Sequence, residues 1–172
     1  MTLIIGIDPG SRRTGFGVVS ASGAGVIYVT SGVIRLPETE LPERLGVIFG
    51  HVSELIAIHR PEQMAVEEVF LARDPRAALR LGQARGAAIV AGVRAGLPVA
   101  EYSARTVKKA VVGVGAATKA QVQQMISRLL GLSAAPAEDA ADALAVAICH
   151  AHSVRINAAL AGSTGYARGR LR

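Results

Sequence analysis

The sequence predicts an α/β domain in which a mixed β-sheet is flanked by helices, and three observations carry that reading. Strand patterns fill the opening 36 residues, helical stripes then alternate with short strand runs, and carboxylates fall at the ends of both kinds of element. At 172 residues, 51% of them apolar, the chain is long enough to bury one substantial core and too short for two large lobes.

The first strand is the apolar run Leu3, Ile4, Ile5 and Ile7, which ends on a carboxylate, Asp8. An unpaired charge there is costly unless a cation or hydrogen bonds meet it. Asp8-Pro9-Gly10 is also ordinary turn chemistry, with Pro9 presetting φ and Gly10 free to take φ > 0. Gly15 to Val19 and Val26 to Leu36, joined by a Ser/Gly/Ala connection, complete an antiparallel meander. From Pro42 the stripe Leu45, Ile48, Val52, Leu55, Ile56 is helical and stops before Pro61. Gln63 to Phe70 returns to strand, and its alternation sets Glu67 and Glu68 on opposite faces, so only one can share a side with Asp8.

Asp74-Pro75 opens a helix to about Gly92, with Arg73, Arg76, Arg80 and Gln83 on its polar side. Gly82 and Gly86 within it cost about 1 kcal/mol each against alanine, which suits close helix contact within the domain or across a dimer. Leu97 to Tyr102 is a short strand, and Ser103 caps a brief basic helix containing Arg105, Lys108 and Lys109. Thr118 and Gln121 form a capping box ahead of a helix closed by Gly131. Glu138 to roughly Ser153 is a helix apolar all round past Asp142, and therefore buried. Residues 1–153 read as a single domain, and 154–172, ending Arg-Gly-Arg-Leu-Arg, as a flexible basic tail.

A net charge of +6 and a pI near 10.2 suit a polyanionic partner such as nucleic acid. Three Phe, three Tyr and no Trp argue against a single-strand binder built on many stacking platforms. No stretch approaches the ~20 apolar residues of a membrane span and no signal peptide pattern opens the chain, so a cytoplasmic protein is expected. The single cysteine, Cys149, sits in a helical apolar context. His51, His59, His150 and His152 read as structural or surface groups.

Asp139 and Asp142, three apart, share one helix face. Acids in a first turn also favour the helix dipole, which alone accounts for them in an isolated helix. The apolar body of this helix instead presses them toward the strand ends. If Asp8, Glu67, Asp139 and Asp142 converge, each close pair repels by about 4 kcal/mol at ~4 Å and an effective dielectric near 20. All-oxygen ligands suit a hard cation, Mg²⁺ or Mn²⁺, and two such ions clamp the attacking and leaving oxygens of a phosphodiester displacement.

Five ordered blocks then carry a family resemblance. Gly-Ile-Asp-Pro-Gly-Ser-x-x-Thr-Gly at 6–15, Val-Glu-Glu-Val-Phe at 66–70, Leu-Gly-Gln-Ala-Arg-Gly at 81–86, Tyr-x-Ala-Arg-x-Val-Lys at 102–108 and Asp-Ala-Ala-Asp-Ala-Leu-Ala at 139–145 closely resemble the RuvC family of bacterial Holliday junction resolvases. The resemblance runs from residue 1 to about 150. It implies a ribonuclease H-like fold with a mixed five-stranded sheet and helices on both faces, and a homodimer. It also implies Mg²⁺-dependent paired nicking of symmetric strands at a four-way DNA junction, in recombination and repair, with two ions per site and RuvA and RuvB as partners. By position, Asp8, Glu67, Asp139 and Asp142 match the family's catalytic metal ligands, Phe70 an aromatic that stacks on junction bases, and Lys108 and Lys119 basic residues near the scissile backbone. Arg73, Arg76, Arg80 and Arg105 are candidate phosphate contacts, as are Arg12 and Arg13 in the loop after Asp8. A related nuclease with another nucleic-acid substrate and a non-enzymatic DNA-binding scaffold are the competing readings. An actin-type ATP-binding module needs far more chain.

Overall fold

The computed structural model describes residues 1–68 and 74–164, with side chains through Ile156. The expected Phe70 and Arg73 contacts lie outside the described residues. Strands β1 (Thr2–Asp8), β2 (Arg13–Ser22) and β3 (Gly25–Arg35) form the antiparallel meander. Helix α1 (Leu41–His59), strand β4 (Gln63–Glu67), helix α2 (Pro75–Arg94) and strand β5 (Val99–Tyr102) follow. The chain then makes α3 (Ala104–Val112), α4 (Lys119–Leu129) and α5 (Glu138–Thr164). The sheet order is β3-β2-β1-β4-β5, with β4 parallel to both β1 and β5.

Strand alternation divides the core in two. Ile5, Ile7, Val18, Met64 and Val66 meet Ile48, Val52 and Ile56 of α1 and Ala84, Ala88 and Ala91 of α2 on one face. On the other, Ile4, Val19 and Ala65 meet Val107, Val122, Ile126 and the α5 run from Leu144 to Cys149. Full burial of a Val, Leu or Ile side chain contributes about 1.5–3 kcal/mol, so α5, buried on nearly every side from Ala140 to Ala151, is the heaviest apolar element of the fold.

Three glycines let that helix approach. A Cβ at Gly6 would lie 2.2 Å from the Ala143 carbonyl, one at Gly15 1.9 Å from the Asp139 carbonyl, and one at Gly17 2.7 Å from the Leu144 side chain. Gly6 pairs with Gly17 across β1 and β2, and Gly15 with Asp8. The glycine stripe thus fixes the first turn of α5 against the end of β1.

The caps fall where the sequence puts them. Asp74 accepts from the Arg76 N–H at 2.9 Å, Ser103 from Thr106 at 3.2 Å, and Thr118 and Gln121 complete a capping box. Three expectations are corrected. Helix α5 does not end near Ser153 but continues to Thr164, because Asn157-Ala158-Ala159-Leu160-Ala161 offers helix formers and no stop signal. Gly10 is not at positive φ; it is needed because a Cβ there would lie 2.1 Å from the Arg13 carbonyl. Among the described residues nothing lies within 4 Å of a Cβ placed at Gly82 or Gly86, so of the two contacts expected for the pair only the one across a dimer is left open.

Candidate active site

The register of β1 and β4 builds the centre of the site. Ile7 pairs with Val66, so the next residues, Asp8 and Glu67, stand side by side where two parallel strands end. By alternation both belong to the face of Ile4, Gly6 and Ala65, the one that α5 covers. Asp139 and Asp142 arrive on the first turns of α5, with Gly15 holding the Asp139 backbone against β2.

Asp8, Glu67 and Asp142 are shifted by burial and by the neighbouring carboxylates. Burial, then the charges of Glu67, Asp142 and Asp139, push the Asp8 carboxyl up to about 8. Burial also raises Glu67, with Asp142 adding to it and a hydrogen bond with Asp8 opposing it. Asp142 is raised by burial against the pull of Lys119. Acids shifted this way by burial and like charge mark functional sites far more often than surface ones.

Two cations hold the outer acids. Arg13 stands 3.8 Å from Asp139, while Lys119 Nζ donates to Glu138 at 2.6 Å and Asp142 at 3.4 Å. Glu138 leads this pull, which holds the Lys119 ammonium above its ordinary range. Lysine at the first position of α4 opposes the helix dipole, so its place is explained by the acids rather than by helix stability. Among the described residues no three His, Cys, Asp or Glu side chains are gathered closely enough to hold an ion as they stand. The donor set still fits a hard cation: four carboxylates, with no thiolate or imidazole among them.

A cleft of about 360 Å³ opens over three of the four acids, lined by Asp8, Pro9, Glu67, Glu68, Lys108, Lys119 and Asp142, with Asp139 outside this lining. Lys108 and Lys119 line the same cleft, and Glu68 borders it from the position after Glu67. Arg105 is exposed beyond this lining, its chain lying against Gly115. Arg76 is exposed on the first turn of α2, and Arg80 lines a separate hollow with Arg12 and Arg44.

Two residues gain roles that the sequence did not reveal. Thr14 is fully buried, and its hydroxyl donates to the Gly10 carbonyl at 3.2 Å and accepts from the Gly10 N–H at 3.3 Å. It ties the ends of the loop that leaves Asp8. Glu138, four residues before Asp142 on the same helix face, anchors Lys119; that spacing was its only signal. His150 is buried between Tyr102 (2.8 Å) and Gln63 (2.9 Å) in a structural network outside the cleft.

A family model described as crossover junction endodeoxyribonuclease RuvC matches residues 4–150. The chain belongs to the RuvC family. The RuvC of Teredinibacter turnerae is 57% identical, covering 99% of both chains, and that of Citrifermentans bemidjiense is 60% identical over 91% of this chain and 96% of its own. The structure of Thermus thermophilus RuvC in complex with a Holliday junction substrate superposes with a TM-score of 0.85, at 38% identity, covering 91% of this chain and 97% of that one. The family assignment makes the five-stranded mixed sheet a ribonuclease H-like fold and the chain a nuclease of the hydrolase class.

Proposed function

We propose that this chain resolves four-way DNA junctions by paired, metal-dependent hydrolysis, with Asp8, Glu67, Asp139 and Asp142 as the ligands of two Mg²⁺ ions. The observation that carries this reading is the meeting of acids from three distant segments at one sheet edge, where burial and mutual repulsion push Asp8 up to about 8. The Thermus thermophilus relative is described in complex with a Holliday junction, which supports the same substrate here.

The ions supply charge neutralisation at the phosphate and an acidified water. Hydrolysis adds hydroxyl to phosphorus, breaks the bond to the 3′ oxygen and returns a proton to it, leaving a 5′-phosphate and a 3′-hydroxyl. Asp8 and Glu67, on rigid strand ends, set the position of the reacting phosphate. With the acids engaged by cations, Lys119, which otherwise pairs with Glu138 and Asp142, would be free to face the phosphate oxygens with Lys108. Arg76, Arg80 and Arg105 are backbone contacts farther out.

A homodimer places two such sites on symmetric strands. Leu79 (69% exposed), Val90 (49%) and Val93 (60%) lie along one side of α2 with Gly82 and Gly86. This apolar stripe, narrow at its glycines, suits the packing of α2 on α2 of a second copy. RuvA and RuvB are the proposed assembly partners, and a chromosomal substrate puts the protein in the cytoplasm. Among the described residues no helix is long and apolar enough to cross a membrane.

The test is nicking of synthetic four-way, three-way and linear DNA side by side in Mg²⁺. Symmetric nicks in the four-way junction alone support the proposal, and equal cutting of linear duplex overturns junction selectivity.

A further inference from the structure

The strand order lays a second charged feature beside the acids. At the sheet edge where β1 and β4 end, β2 begins at Arg13 and β3 finishes at Arg35, and these two arginines are direct cross-strand partners. Like charges directly opposite one another destabilise an antiparallel pair, and folding gains nothing from them. The Leu36 N–H donates to the Arg12 carbonyl at 3.1 Å, which draws Arg12 to the same edge.

Arg44 joins from α1, its guanidinium donating to the Ser11 carbonyl at 2.8 Å. Its Nε is buried with no hydrogen-bond partner. Arg12, Arg13, Arg35 and Arg44 line a groove of about 570 Å³ in which Glu38 is the sole acid. Arg12 and Arg44 also line the adjoining hollow of about 200 Å³ that reaches Arg80. Among the described residues Arg12, Arg35 and Arg44 have no carboxylate partner within 4.0 Å.

We infer that this arginine groove is a phosphodiester-binding rail that seats the backbone of a duplex arm beside the catalytic cleft. The inference rests on the nuclease reading and extends it to residues outside the acid site. Planar guanidinium forks, two on the strand ends Arg13 and Arg35 and one on α1 held by the Ser11 carbonyl, match phosphate oxygens and need little reordering. Arg13 joins rail to site, since its other neighbour is Asp139 at 3.8 Å. With the strand order β3-β2-β1-β4-β5, the rail flanks the acids on the β2 and β3 side, while α3 and α4 bring Lys108 and Lys119 from the β5 side. A duplex in the rail fixes the direction from which the scissile strand enters.

The test is binding of a labelled synthetic four-way junction in EDTA, followed by fluorescence anisotropy across a salt series, for wild type, R12Q/R35Q and E38K. Both sites are exposed and neither substitution touches the core. Losing two phosphate contacts lowers the log–log salt slope by about 2, whereas E38K leaves it as steep or steeper. A salt slope unchanged in R12Q/R35Q, with junction cutting intact in wild type, overturns the rail and spares the resolvase reading. A wild type that neither binds nor cuts the junction overturns both.

Discussion

Replacing Asp8 by Asn is expected to stabilise the metal-free protein while abolishing cleavage. The folded chain keeps a proton on Asp8 up to about pH 8, whereas the unfolded chain releases it near 3.8. Between those values the unfolded state binds fewer protons, so stability falls as pH rises, by about 1.4 kcal/mol per pH unit for one retained proton. His150 acts at the other end: burial lowers it from 6.5, so its contribution is lost as pH falls below 6.5. The interval from pH 6.5 to 8 therefore isolates the acids, and Cys149, pushed up to about 11 by burial, stays neutral through it. Across that interval one proton corresponds to about 2 kcal/mol, or about 4–8 °C in Tm for a chain of this size. Thermal unfolding by circular dichroism in EDTA should show wild type losing that stability and Asp8→Asn losing much less, since only the raised Glu67 and Asp142 remain to titrate. Mg²⁺ should restore wild type and leave the variant nearly unmoved. Parallel pH curves for the two proteins would refute the convergence of the acids.

Four further outcomes follow from named contacts. Gly15→Ala drives a methyl into the Asp139 carbonyl, so a stability loss of about 1–3 kcal/mol in urea melts should accompany a larger loss of cleavage than core overpacking elsewhere causes. Thr14→Val keeps the shape but orphans the Gly10 N–H and C=O, costing about 1–3 kcal/mol by the same melts. Lys119→Ala should lower the single-turnover nicking rate by about 10²-fold, while Glu138→Gln, which removes only its anchor, changes it by roughly threefold or less. Leu79→Glu places a charge in the exposed α2 stripe and should yield a monomer in analytical ultracentrifugation; a dimer that survives it would locate the interface elsewhere.

The layered fold was legible in the sequence because its signals are local. Period-2 and period-3.6 apolar patterns do not depend on tertiary contacts, and Ser103, Thr118 and Asp74 cap with their own side chains. Alternation said only that one of Glu67 and Glu68 shares a strand face with Asp8; the chain leaves the strand after Glu67, and both glutamates line the cleft beside Asp8. What stayed hidden depends on register or on distant partners. Gly6, Gly15 and Gly17 look like three unrelated strand glycines until β1 and β2 are paired and α5 is laid across them. Arg13 and Arg35 lie 22 positions apart in sequence and become neighbours only through the β2–β3 pairing. Gly10 misled because turn chemistry suggests positive φ, whereas the constraint is the Arg13 carbonyl in the space its Cβ would take.

The central claim, that Asp8 and its three companion acids form the hydrolytic centre for a four-way junction, is tested most directly by one paired measurement. Wild type and Asp8→Asn are incubated with a labelled synthetic junction in Mg²⁺, and both binding and strand cleavage are followed. The expected result is symmetric paired nicking by wild type, with the variant binding at least as tightly and cutting nothing. Nicking by Asp8→Asn at the wild-type rate would contradict the account.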